Sequence, residues 1–167
     1  AINKTYIFTD EGWLKGVGKV QQTTSGFCYL DSNNMLNYGW QTINGKRYYF
    51  DPSTGMAHGG TTYIIDDQLY LFNDNSELVV GDWFRNWRGD YYYGNNDGKA
   101  MTGYQKIDGI YYYFNNEGLS LSGFQLVNDE IHYFKPTSNG PNPEFRGWLR
   151  EKSKWYYLDP PNGMAVT

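Results

Sequence analysis

A short aromatic phrase, followed by a polar turn and a glycine, recurs along this chain about every 20 residues, and a fixed short period marks a repeat architecture. The phrase reads Tyr48-Tyr49-Phe50, Tyr70-Leu71-Phe72, Tyr91-Tyr92-Tyr93, Tyr111-Tyr112-Tyr113-Phe114, His132-Tyr133-Phe134 and Trp155-Tyr156-Tyr157-Leu158. Two weaker copies stand upstream, Tyr6-Ile7-Phe8 and Phe27-Cys28-Tyr29-Leu30. Repeats present the same side chains at regular intervals, so a site built by one repeat should have counterparts in others.

One unit shows how such a phrase folds. In Gly39-Trp40-Gln41-Thr42-Ile43-Asn44-Gly45-Lys46-Arg47-Tyr48-Tyr49-Phe50-Asp51-Pro52-Ser53-Thr54-Gly55-Met56, Trp40 to Ile43 reads as a short strand. Asn44-Gly45 is a strong two-residue hairpin signal, because both turn residues must accept positive φ. Arg47 to Phe50 is the return strand, and Asp51 to Gly55 a second turn rich in turn formers. Asp108-Gly109 and Arg88-Gly89 take the hairpin-turn place in other units. Asp97-Gly98, Glu117-Gly118 and Asn162-Gly163 take the second-turn place. Units begin near Gly16, Gly39, Gly60, Gly81, Gly103, Gly123 and Gly147, after a half repeat at 1–15, and together form a single module over 1–167. The longest unit, from Gly123, carries a Pro/Asn-rich insertion from Pro136 to Glu144. A lone hairpin is marginal in water, so neighbours must share a core. The expected fold is all-β, a solenoid of stacked β-hairpin repeats.

Rings make up 19% of the residues, so they rather than aliphatic side chains must build the core. On the return strand, side chains alternate between faces. Its second and fourth positions hold pairs such as Tyr48/Phe50 and Tyr112/Phe114 and are assigned to the core. Its first and third positions vary more, as in Arg47/Tyr49, Leu69/Leu71 and Trp155/Tyr157, and are assigned to a surface groove. Met56, Met101 and Met164 are expected to pack beneath neighbouring repeats.

The net charge of −4 comes from scattered charges with no basic stripe, which argues against nucleic acid as a partner. Nothing approaches a transmembrane helix, so membrane insertion is not expected. Cys28 stands alone in a strand-like run and reads as a buried, inert thiol. His58 and His132 lack a nucleophile in a recognisable arrangement, and acidic residues cluster in turns, so no catalytic residue is assigned. Asn73-Asp74-Asn75 and Asn95-Asn96-Asp97-Gly98 lack a full calcium-loop spacing, so no metal and no cofactor are assigned.

Gly147-Trp148, then Trp155-Tyr156-Tyr157-Leu158, then Gly163-Met164 resembles the cell-wall/choline-binding repeat of Gram-positive surface proteins and phage lysins. The unit from Gly39 is equally similar to repeats of glucansucrase glucan-binding domains and of large clostridial toxins. The unit from Gly123, with its insertion, resembles the toxins' occasional long repeats. The resemblance spans nearly the whole chain and implies a non-catalytic attachment module. Its expected place is a secreted or bacterial cell-surface protein, of which this chain is a piece. Its expected partner is a polysaccharide, a cell-wall glycan or a choline-bearing teichoic acid. Exposed end repeats offer a route to self-association.

In the choline-binding branch, the resemblance implies a cage made from the Gly-Trp ring, position one of the same return strand and position three of the next. Carried over, this gives Trp40, Arg47 and Leu71 in the unit from Gly39, where the guanidinium would repel a cation. It gives Trp83, shifted by one residue, with Tyr91 and Tyr113, and Trp87 nearby. It gives Tyr104, Tyr111 and Tyr133 in the next unit, then Phe124, Ile131 and Tyr157, and finally Trp148 with Trp155. Only two junctions are fully aromatic, which favours rings that stack on sugars. A choline-binding module is the first alternative. The second is a structural spacer or protein-docking array whose rings only stack.

Overall fold

The computed structural model describes residues 8–9, 12–13, 18–23, 26–33, 35–159 and 163–166. Within them the chain runs as successive antiparallel hairpins. The first short pair is β1 (Phe8–Thr9) with β2 (Gly12–Trp13). The remaining sequence assigned to the half repeat at 1–15, and the side chain of Met164, lie outside the described residues.

Six full hairpins follow: β3 (Val20–Thr23) with β4 (Gly26–Tyr29), β5 (Gly39–Ile43) with β6 (Lys46–Phe50), β7 (Thr61–Ile65) with β8 (Gln68–Phe72), β9 (Asp82–Arg85) with β10 (Tyr91–Gly94), β11 (Gly103–Ile107) with β12 (Ile110–Phe114), and β13 (Gly123–Val127) with β14 (Glu130–Phe134). The last sheet has three strands, β15 (Gly147–Glu151), β16 (Lys154–Asp159) and β17 (Gly163–Val166).

The expected turns at Asn44-Gly45 and Asp108-Gly109 have positive φ at both residues. Asp66-Asp67, Asn128-Asp129 and Lys152-Ser153 do the same without glycine. At Ser153, φ is 67°, a conformation that costs an L-residue about 1–2 kcal/mol. Ser153→Gly is therefore expected to raise stability by about 1 kcal/mol, read as a higher urea midpoint with an unchanged m-value.

The second turns share one device. The side-chain oxygens of Asp31, Asp51, Asn73, Asn95 and Asn115 each accept backbone N–H bonds from residues two to four positions on. Such Asx caps let a short polar side chain replace a backbone partner. They account for the Asn/Asp runs weighed above as calcium loops, because the capping oxygens point into their own turns.

Stacking rests on a backbone staple that repeats at each step. After each second turn one residue bridges its own return strand: Ala57 to Phe50, Leu78 to Phe72, Ala100 to Gly94, Ser120 to Phe114 and Glu144 to Phe134. The N–H of that same residue donates to the carbonyl at position one of the preceding hairpin. The bonds run from Ala57 to Phe27, Leu78 to Arg47, Ala100 to Leu69, Ser120 to Tyr91 and Glu144 to Tyr111, at 2.7 to 2.8 Å. Each hairpin from β5–β6 to β13–β14 is thus hydrogen-bonded to the one before it, as expected of a solenoid.

The core lies along this seam. Position four of the return strand is buried in all six units from Phe50 to Leu158. Position three does not keep to the surface as the alternation suggests. Leu71 is 0% and Tyr133 8% exposed, because the segment after the second turn folds back over them. Val79 and Phe145 donate to the carbonyls of Leu71 and Tyr133, and the Phe145 ring meets Tyr133 at 6.4 Å. Cys28 is fully buried, and burial pushes its thiol pKa up, as befits an inert side chain.

Candidate functional site

From β5 onward every hairpin except β7–β8, which has Thr62 opposite Leu71, opens with an aromatic residue. Register puts Trp40, Trp83, Tyr104, Phe124 and Trp148 opposite Tyr49, Tyr93, Tyr113, Tyr133 and Tyr157, so the one-residue shift at Trp83 restores equivalence. Trp40 meets Tyr49 at 5.2 Å on its own hairpin, and Tyr70 at 4.9 Å and Phe72 at 6.1 Å on the next. Trp83 repeats this with Tyr93, Tyr112 and Phe114 at 5.1, 4.8 and 5.9 Å. Trp40 and Trp83 are therefore half-buried seam residues. Their ring partners are positions two and four of the following strand, instead of the position-three residues that the cage pattern requires.

Side-chain cations of the chain itself cover several of the faces the cage would use. The Arg47 guanidinium lies 4.7 Å from the Trp40 ring centre and that of Arg85 lies 5.8 Å from Tyr91. Tyr111 has two cations, Lys106 at 5.2 Å and Arg146 at 5.5 Å. Trp87 stands apart from every junction, at the tip of the β9–β10 hairpin, 81% exposed with Arg88 over it at 4.7 Å. Tyr113 stacks on Phe134 at 5.9 Å.

The junction after β12 differs from the others in chemistry. The insertion delivers Glu144 into the bridge place that Ala57, Leu78, Ala100 and Ser120 fill elsewhere. Its carboxylate is almost fully buried. Oε1 accepts from the Tyr104 hydroxyl at 3.0 Å and contacts His132 Nδ1 at 2.5 Å. Oε2 accepts from Arg146 Nε at 3.1 Å and Nη2 at 2.8 Å. Both oxygens are thus engaged by the protein, so Glu144 acts by holding its neighbours.

Burial pushes the Glu144 carboxyl up. Hydrogen bonds from His132, Arg146 and Tyr104 outweigh that, and it settles below the ordinary carboxylate range. Burial and the Glu144 charge push the Tyr104 hydroxyl well up, and the Glu144 bond raises Arg146. Tyr104, which donates to Glu144, lies flat against Tyr111 at 4.8 Å and 9° between planes, whereas Trp40, Trp83, Phe124 and Trp148 meet their own position three edge-on or tilted.

Around this network lies a cavity of about 230 Å³, lined by Tyr104, Tyr111, Asn128, Glu130, Ile131, His132, Tyr133, Glu144, Arg146 and Asp159 among others. It brings together three of the sequence-derived site residues, Tyr104, Tyr111 and Tyr133. The reading of rings alone missed Glu144 and Arg146. Their signal was spacing: the bridge residue stands three positions before the glycine opening the next unit, at Leu36, Ala57, Leu78, Ala100, Ser120 and Glu144.

At the last hairpin, Trp148 meets Tyr157 at 5.1 Å and Trp155 at 6.4 Å, the latter nearly perpendicular. Trp148 is 56% exposed. No cation lies over these three rings among the described residues.

A series of stapled hairpins with ring-lined junctions is the form of a ligand-holding repeat module, and comparison with known proteins agrees. Residues 38–84 match the choline-binding repeat family, and residues 102–119 and 147–160 match the putative cell wall binding repeat family. Glucosyltransferase-S of Streptococcus mutans is 34% identical over 86 residues, 51% of this chain and 6% of the relative. Toxin A of Clostridium novyi is 35% identical over 92 residues, 50% of this chain and 4% of the toxin. The chain therefore spans a small fraction of these much longer relatives. CbpJ from Streptococcus pneumoniae superposes with a TM-score of 0.72 at 20% identity, over 97% of this chain and 56% of that one, a likeness of fold. The matched stretches of the chain are thus similar to choline-binding and cell wall binding repeats, which are modules of the binding type.

Proposed function

We propose that the chain is a glycan-binding module of a secreted or bacterial surface protein, and that its principal site is the cavity between Tyr111, His132 and Arg146. The observation that carries this reading is the pairing of a ring platform with cations the protein itself supplies. Lys106 and Arg146 flank Tyr111, so a quaternary ammonium would meet repulsion there. A pyranose has no such penalty: it can pack against Tyr111 beside these cations while its hydroxyls accept from Arg146 and bond to Asn128 or Glu130. Ligand sites commonly combine apolar walls with a few placed polar groups in this way. The alignment with glucosyltransferases supports a sugar ligand. Weak sites would gain avidity along a polymer that reaches several of them.

A second reading has its own observation. The open corner of Trp148, Trp155 and Tyr157 lacks a covering cation and could hold a quaternary ammonium by cation–π attraction. The two readings separate in one titration series with gluco-oligosaccharides and with choline, followed by calorimetry. Tyr111→Ala is expected to weaken oligosaccharide binding at least about tenfold and to leave any choline response unchanged. Choline binding abolished by Trp148→Ala, with no response to any glycan, would reverse the assignment. Silence toward both ligands would leave the rings with stacking alone to do.

A further inference from the structure

His132 takes the second position of its return strand, where the other units from Gly39 to Gly147 carry Tyr48, Tyr70, Tyr92, Tyr112 and Tyr156. As a ring it does what those tyrosines do. It meets Tyr104 at 5.1 Å, much as Tyr70 meets Trp40 at 4.9 Å and Tyr112 meets Trp83 at 4.8 Å. What histidine adds is a pair of ring nitrogens, and each faces a carboxylate. Nδ1 lies 2.5 Å from Glu144 Oε1, and Nε2 lies 3.8 Å from Glu130 Oε2.

The two carboxylates differ in freedom. Glu144 is buried and is held by Tyr104 and Arg146 as well as by the ring. Its carboxyl lies below the ordinary value of 4.5, so it is ionised throughout the range of about pH 5 to 8 in which histidine changes charge. An ionised Oε1 this close requires a proton on Nδ1, so the proton that comes and goes is the one on Nε2. Glu130 is half exposed, and among the described residues its carboxylate has no other ion pair. The remaining titratable groups around the ring are Tyr104 of β11 and Arg146, both bonded to Glu144, with Tyr111 of β12 and Asp159 of β16 on the same cavity wall.

We infer that His132 is a proton switch for the Tyr111 cavity, closing part of its wall in acid and opening it toward neutral pH. The ligand concerned is the one given by the glycan reading above, on which the inference rests. With Nε2 protonated, the imidazolium draws Glu130 into an ion pair, and each group is occupied by the other. With Nε2 bare, its lone pair faces the carboxylate, the attraction is gone and Glu130 is released. The cavity then offers two acceptors, Nε2 and the Glu130 carboxylate, to ligand hydroxyls. The proton leaves to solvent, and by linkage a ligand that takes these acceptors helps to drive it off. Tyrosine, at the same position in the other units, has no group that titrates in this range, so this junction responds to pH where its counterparts do not.

The test is calorimetric titration with a gluco-oligosaccharide in steps from about pH 5 to pH 9, in the wild-type chain, in His132→Asn and in Glu130→Gln. The His132 ring and Glu130 carboxyl signals are followed by NMR in the free chain over the same range. Asparagine keeps a donor toward Glu144 and removes Nε2. Glutamine at the half-exposed position 130 removes only a charge, so that variant should keep the wild-type fold. The other histidine, His58, stacks on Tyr63 and is present in all three proteins. The expected result is a wild-type affinity that falls about fivefold as His132 takes up its proton, a Glu130 signal that moves with it, and a pH response that shrinks in both variants. Affinity that is flat, that rises on acidification, or that keeps its full pH response in both variants would overturn the switch and leave the glycan reading standing. Absence of binding at every pH would overturn the glycan reading. The free-chain signals then decide the switch: a Glu130 signal that follows His132 supports it, and one that ignores His132 sinks it.

Discussion

Replacing Phe114 with alanine should cost about 3–5 kcal/mol, the range for emptying a buried aromatic site. Phe114 is 1% exposed and packs with Ile107, Tyr112 and the wedge ring Trp83. It belongs to one hairpin but fills the seam with the hairpin before it, so the loss should spread in one direction. Hydrogen exchange is expected to quicken first in 82–94 and 103–114, with 39–50 holding longer, because each repeat is supported mainly by its neighbours. Tyr113→Ala at the adjacent, half-buried position should cost less. Equal protection loss across all hairpins would mean that the chain folds as one cooperative block.

Glu144→Ala should produce the second large effect, with a stability cost of about 3 kcal/mol, toward the lower end for breaking a buried ion pair. Arg146 can turn to solvent, but the Tyr104 hydroxyl loses its acceptor. Oligosaccharide affinity should fall with it, because Arg146 and Tyr104 lose the group that orients them. The pH dependence has a definite sign. The Glu144 carboxyl lies below its ordinary value of 4.5 in the fold. Its contribution is therefore complete above that value and is lost as the pH falls through the folded pKa. Wild-type stability should decline on acidification below about 4.5, and Glu144→Gln should remove that part of the decline. Thermal unfolding from pH 7 to 3, compared between the two proteins, reads this directly.

Much of the fold was legible in the order of residues. The recurrence of rings located the return strands, and Asn44-Gly45 and Asp108-Gly109 announced their turns, since glycine accepts positive φ without strain. Lys152-Ser153 gave no such sign, because there the hairpin register imposes the turn against local preference. Strand alternation placed Phe50, Phe72, Phe114 and Phe134 correctly in the core. It misplaced Leu71 and Tyr133, because what covers position three is the folded-back segment after the second turn, which a period-two pattern cannot see.

The candidate site was legible only in part for a related reason. Rings could be listed, but which faces stay open depends on side chains that arrive from elsewhere. Arg47 reaches its ring across one hairpin, whereas Arg146 reaches Tyr111 from beyond the insertion. Trp87 looked like a junction residue because it stands near Trp83 in sequence, yet the long turn carries it to the hairpin tip.

The most direct test of the central claim is a crystal structure of the chain soaked with a gluco-oligosaccharide and, separately, with choline. The expected result is a sugar ring lying against Tyr111 with a hydroxyl bonded to Arg146, and no choline in that cavity. Choline seated against Tyr111, or in the Trp40 and Trp83 seams, with no sugar bound anywhere, would contradict it.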